Sequence, residues 1–132
     1  MTISAFSPLK DGVIAVTGGT AVPFTSLGDG VGENVVFFDG ADMLTRKEAR
    51  FQATPPKVNA GTPSGYTQSR NKVILLAPQT LTSGERVVNK LTIHLEADIN
   101  MSSADKSTLR GLAAQILSES DLDNFWNSLA CS

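Results

Sequence analysis

Cysteine occurs once in the 132 residues, at Cys131, so neither an internal disulfide nor a cysteine-based metal cluster is open to this chain. The plain reading of Cys131 is a frayed terminal thiol. Histidine is equally scarce. His94 stands alone, and no Ser/His/Asp set, paired-carboxylate motif or metal-ligand cluster occurs at a usable spacing. The expectation is therefore no enzyme, no metal and no cofactor. No apolar run approaches the roughly 18 residues a membrane helix needs, so no membrane partner is expected. The opening MTISAFSPLKDG lacks the basic and then apolar pattern of a secretion signal, which makes a cytosolic origin the expectation. Without such a signal the NMS triplet at 100–102 carries no glycosylation reading.

What is present is an ordinary globular composition, 41% apolar and 18% charged, which separates the chain from disordered sequences. Its length suits a single domain, 1–132, able to bury roughly two thirds of the surface its unfolded form exposes. The net charge of −2 hides a strong asymmetry. Residues 1–43 carry −4 and residues 91–132 carry −4, whereas residues 44–90 carry +6. The positive middle third consists of Arg46, Lys47, Arg50, Lys57, Arg70, Lys72, Arg86 and Lys90 against Glu48 and Glu85. Scattered, such charges would be a solvated surface; confined to consecutive strands, they make a field.

Near the start, VIAVTGGTAVPFT sets Gly18-Gly19 between two β-rich runs, a two-residue hairpin signal. Asp11-Gly12 is a second turn candidate, which leaves the pairing open. SLGDGVGE is expected as a glycine-rich loop. Its glycines do not follow a strand and open a helix, so it is no phosphate cradle. NVVFF, residues 34–38, reads as a short buried strand, and DGADMLT turns away from it.

Three strands follow with period-2 alternation, which puts successive side chains on opposite faces of a sheet. Ala49, Phe51 and Ala53 alternate with Glu48, Arg50, Gln52 and Thr54. Val73, Leu75 and Ala77 oppose Gln68, Arg70 and Lys72, which share their face with Ile74 and Leu76. Leu91, Ile93, Leu95 and Ala97 alternate with Lys90, Thr92, His94 and Glu96. Such a sheet is antiparallel, with one wet face. The connections PPKVNAGTPSGY and PQTLTSGE are rich in turn residues, and Pro55-Pro56 ends its strand.

The C-terminal region reads as two helices. Ser102 with Asp105, and Ser120 with Asp123, are capping-box-like starts. Leu109, Leu112, Ala113, Ile116 and Leu117 recur at helical spacing, as do Leu122, Phe125, Trp126, Leu129 and Ala130. Helices this short are marginal alone and need packing, for which the apolar sheet face is the natural target. The result is an α+β chain of two layers. A monomer would leave long sheet edges bare, whereas a symmetric dimer pairs one edge from each chain. The boundaries expected are 1–27 for a leader and hairpin, 33–98 for the main sheet and 102–130 for the helices.

The order EARFQAT, proline-containing loop, SRNKVILLAP, loop, RVVNKLTIHLEADINMSSADKSTLRGLAAQIL resembles the coat proteins of the single-stranded RNA bacteriophages, the leviviruses. The resemblance is strong over residues 45–130 and weaker before them. It implies an N-terminal β-hairpin, a five-stranded antiparallel sheet and two helices that pack across a homodimer. It also implies assembly of dimers into an icosahedral virion shell whose wet sheet face looks at the RNA genome, with synthesis in the bacterial host cytoplasm. Carried over, the RNA-binding positions are Arg50, Gln52, Thr54, Gln68, Arg70, Lys72, Lys90 and Thr92. The dimer interface would hold Leu109, Leu112, Ile116, Leu122, Phe125, Trp126 and Leu129. The loop Gln79, Thr80, Leu81, Thr82 and Ser83 matches one that meets its copies around the shell's symmetry axes. A further implied role is repression of translation through an RNA hairpin. The sequence departs from the pattern at Val88, where better-known members have a tyrosine that stacks on a base, at Ile74 and Leu76, often polar, and at Glu48. Residues 1–10 look like an extra leader. The competing expectation is a dimeric β-rich protein that binds a partner or ligand on the same face and builds no shell.

Overall fold

The computed structural model describes residues 6–10, 12, 14–19, 24–30, 32–38 and 46–128. The chain divides into two compact units, Gly19–Asn100 and Met1–Gly18 with Met101–Ser132.

The first unit is one antiparallel sheet. Its strands are β1 (Phe24–Gly30), β2 (Glu33–Phe38), β3 (Lys47–Thr54), β4 (Ser69–Thr80) and β5 (Arg86–Ala97), and each lies beside its sequence neighbour in the order β1-β2-β3-β4-β5. Register confirms the alternation. Ala49 faces Leu75, which faces Leu91, and Phe51 faces Val73, which faces Ile93. Leu95 continues this apolar row opposite Asn71, and Ala97 closes it opposite Ser69. Ala49 and Ala97 are buried, while Phe51 remains 46% exposed.

Strand structure begins earlier than the sequence suggests. SLGDG, expected as loop, lies within β1, so the sheet starts at Phe24 and not near residue 33. A break in register between Ser26 and Asp29 accommodates the glycine-containing stretch, as a bulge does. The β1–β2 turn closes at Gly32, whose φ is 76° and where a Cβ would stand 2.9 Å from the Ala53 carbonyl oxygen. Only glycine fits that approach. Gly18 and Gly19 both take φ of 77°, as a hairpin turn requires, yet Ile14–Thr17 carry no strand pairing. The expected partner run at 20–23 lies outside the described residues.

The β3–β4 connection is ordered by its own bonds. Val58 bridges Tyr66, and the Thr62 hydroxyl donates to the carbonyl oxygens of Asn59 and Tyr66. The β4–β5 turn is tighter, with the Leu81 N–H on the Glu85 carbonyl at 2.8 Å. Gln79 and Thr80 are ladder residues opposite Val87 and Arg86, so the connecting loop is not Gln79–Ser83 but lies two residues further on, at 81–85.

In the second unit, α1 spans Ser103–Ser118 and is capped as its sequence indicates: Ser102 Oγ accepts the Asp105 N–H at 3.1 Å. A 3₁₀ turn, Ser120–Leu122, leads into α2, Asp123–Ser128. The cap expected from Ser120 is not made, because Ser120 lies inside the 3₁₀ turn and its hydroxyl donates to Glu119. Leu122 is buried; Leu109, Ile116, Phe125 and Trp126 are between 37% and 45% exposed. Phe125 and Trp126 meet edge to face at 4.9 Å, and Trp126 Nε1 donates to the Ile116 carbonyl at 3.0 Å. Gln115, the one buried polar side chain among the described residues, is turned onto the leader at Leu9. Leu129, Ala130 and Cys131 lie outside the described residues. Among the described residues no helix is long and apolar enough to cross a membrane.

Candidate nucleic-acid interface

Antiparallel pairing puts directly opposed residues on the same face of a sheet. One row of the polar face runs Glu33, Gln52, Lys72, His94 across β2 to β5. The next runs Val35, Arg50, Ile74, Thr92, and a third runs Phe37, Glu48, Leu76, Lys90. Thr54, Arg70 and Glu96 form a fourth. Seven of the eight sequence-selected residues therefore share one face: Arg50, Gln52, Thr54, Arg70, Lys72, Lys90 and Thr92. Gln68 is exposed but precedes β4 and lies outside the ladder.

The face is less uniformly basic than its arginines and lysines suggest. Arg50 Nε donates to Glu48 Oε1 at 2.7 Å. Arg70 Nε lies 3.2 Å from Glu96 Oε1, and His94 Nε2 lies 3.6 Å from the same oxygen. The two contacts to Glu96 are solvent-exposed enough to exchange partners at little cost, whereas the Glu48 carboxylate is more enclosed. Among the described residues Lys72 and Lys90 make no ion pair. Protons on the ammonium and guanidinium groups suit phosphates, while Gln52, Thr54 and Thr92 suit bases and sugars.

Three residues of this face were not singled out by sequence reading. Phe37 sits on it opposite Glu48, and the Arg46 guanidinium lies 3.5 Å from the centre of its ring. Arg86 joins Arg46, Glu48 and Arg50 with Leu76, Pro78 and Val88 in lining a basin of about 340 Å³. Ile74 and Leu76, apolar departures on a wet face, are thus half-buried rather than fully solvated. The parity of RVVNK could have found Arg86. Nothing in NVVFF could have placed Phe37, because that run is apolar at every position after Asn34.

No three His, Cys, Asp or Glu side chains gather to hold a metal ion among the described residues. The Asp98 carboxyl, at the end of β5, lies below the usual aspartate range, chiefly because the Asn100 N–H donates to it at 2.9 Å, with Ser64 assisting.

No protein-family model matches the chain, and no curated protein sequence does. Among solved structures, the virus-like particle of bacteriophage GQ-907 is similar to it over 99% of this chain and 100% of that one, with 30% identity and a TM-score of 0.87. The virus-like particle of bacteriophage AVE019 covers 88% of this chain and 92% of its own at 7% identity, with a TM-score of 0.70. That of Wenzhou levi-like virus 4 covers 86% and 81% at 18% identity, with a TM-score of 0.65. The last two likenesses are of fold alone.

Proposed function

The chain belongs to the levivirus coat-protein family, and from that premise we propose that it is a capsid protein that forms homodimers, assembles them into an icosahedral shell and packages single-stranded RNA on its polar sheet face. The observation that carries the RNA reading is the register: Arg50, Arg70, Lys72 and Lys90 rise from one face, interleaved with Gln52, Thr54 and Thr92. A dimer doubles that set and lets several phosphates be neutralised together.

Two features support the dimer. Only Ala49, Ala97 and Leu122 form the buried apolar set among the described residues, while Phe51, Leu91, Ile93, Ile116 and Trp126 stay between 38% and 46% exposed. Covering such side chains completely stabilises by about 1.5–3 kcal/mol each, reduced here in proportion to the burial already achieved. β5 is also twelve residues long and ladders on one side only among the described residues, a template that a second β5 satisfies. Leu109, Leu112, Phe125 and Leu129 belong to this proposed interface with them. The turn at Leu81, Thr82 and Ser83, flanked by Gln79 and Thr80, would meet other dimers in the shell. Translational repression would use the same face as packaging.

Filter binding across a salt series tests the RNA reading. Affinity should fall with salt at a logarithmic slope of roughly −0.7 per neutralised phosphate. Arg70→Ala with Lys72→Ala should weaken binding to most RNAs and flatten that slope. A double variant that binds as tightly as the parent, with the same slope, removes this face as the RNA site. Particle size tests the shell: assembled protein elutes in the void of a sizing column, a free dimer does not.

A further inference from the structure

Val88 offers no ring for a base to stack on, yet the neighbouring part of the same face holds one. We propose that Phe37 and Arg46 form a nucleobase-stacking site that takes one unpaired, amino-bearing base of single-stranded RNA, a reading that rests on the assignment of this face to RNA.

Geometry carries it. Phe37 is the aromatic ring that register places on the polar face among the described residues, and Arg46 lies over it at 3.5 Å from the ring centre. A guanidinium is planar, weakly hydrated and always charged, so it stacks on a base as readily as an aromatic ring does. With Phe37 behind it at that distance, the Arg46 guanidinium is engaged by the ring and not left a free-swinging cation. The adjoining basin, about 340 Å³, is lined by both apolar and charged side chains, the mixture that a nucleotide needs. Its lining includes Arg46, Arg50 and Arg86 against the single acid Glu48, a positive excess that complements the phosphates on either side of the base.

Glu48 supplies selectivity. One of its oxygens accepts from Arg50 Nε at 2.7 Å, which holds the carboxylate in place within the basin wall. A carboxylate only accepts hydrogen bonds. The exocyclic amino group of cytosine or adenine satisfies it, whereas the matching carbonyl of uracil meets it as acceptor against acceptor. The stacked base is therefore an amino-bearing one, cytosine, adenine or guanine, in preference to uracil. Arg46 and Phe37 hold it, and Glu48 discriminates.

The test measures binding of the full-length protein, held as unassembled dimers so that the sheet face is open, to short oligo(C), oligo(U) and an oligo(C) carrying one abasic spacer, each across a salt series. The parent should prefer oligo(C) to oligo(U) and lose affinity for the abasic strand, with similar salt slopes for all three. Arg46→Lys keeps the charge but removes the plane, and should weaken oligo(C) binding by roughly 5- to 100-fold with little change in slope. Glu48→Gln, which adds a donor, should erase the preference over oligo(U). Equal binding of all three strands by the parent, or unchanged oligo(C) binding by Arg46→Lys, overturns the stacking site while salt-dependent RNA binding leaves the wider interface standing. A parent that binds none of the strands overturns both.

Discussion

The side-chain amide of Gln115 satisfies both backbone polar groups of Leu9: the Leu9 N–H donates to Oε1 at 2.8 Å, and Nε2 donates to the Leu9 carbonyl at 2.7 Å. A residue from α1 thereby fastens the leader in the way a neighbouring strand would. Gly12 sits close enough to Gln115 that a Cβ there would lie 3.2 Å from Nε2. Gln115→Ala should leave both Leu9 groups without their partner and cost about 1–3 kcal/mol. Urea unfolding measures the loss, and amide exchange at Leu9 should accelerate with it.

Glu96 holds Arg70 by an ion pair on the proposed RNA face. Glu96→Gln removes one negative charge there and frees the guanidinium for phosphate. RNA affinity should rise severalfold at low salt, and the salt slope should steepen by up to about 0.7 per added phosphate contact. Filter binding beside the Arg70→Ala, Lys72→Ala variant reads both directions of the same effect.

Gly84 closes the β4–β5 turn with a φ of 87°, and its N–H donates to the Leu81 carbonyl at 2.9 Å. Because Thr80 and Arg86 are already paired, residues 81–85 can be replaced by Asn-Gly without breaking the ladder. The dimer should persist while particles change size or fail to form. Particles of normal size in electron micrographs would show that the turn makes no essential contact in the shell.

Trp126 is 41% exposed in the single chain, which leaves much of its surface for the proposed dimer to cover. Trp126→Ala should cost about 3–5 kcal/mol if the dimer buries the indole fully, and less in proportion if it does not. Ultracentrifugation at micromolar concentration should show the variant dissociating where the parent remains paired. A stable, folded parent monomer at that concentration would contradict the dimer.

Asp98 binds its proton less tightly in the folded chain than in the unfolded one, since the Asn100 N–H and Ser64 favour the carboxylate. Its contribution is present above the ordinary aspartate range and is lost as pH falls through the depressed value. Asp98→Asn should make melting temperature less sensitive to pH in that acid window and leave neutral pH nearly unchanged. Melts taken across the acid range check it.

Where one face of a strand is apolar and the other polar, alternation was enough to read the sheet. Ala49, Leu75 and Leu91 fall in one row as their spacing implies, and Arg50 lies opposite Ile74 as its parity requires. Val35, Val36, Phe37 and Phe38 have no such contrast, so the faces of β2 come from pairing alone. β1 escaped because glycines that weaken strand propensity are absorbed by a bulge, a non-local outcome that depends on β2 lying beside it. Ser102 capped its helix and Ser120 did not, although both have an acid three residues on: what differs is the 3₁₀ turn at Ser120.

Strand order that follows chain order also has a meaning in time. Each ladder joins a strand to the one made just before it, so every closure is a short hairpin and none waits for a distant segment. Topologies dominated by such nearby pairings fold fast for their size. A chain leaving the ribosome can therefore add strands one after another, β5 being the last strand and the helices following it. Each arriving strand covers the edge left by the one before it, which limits wrong pairing among crowded nascent copies.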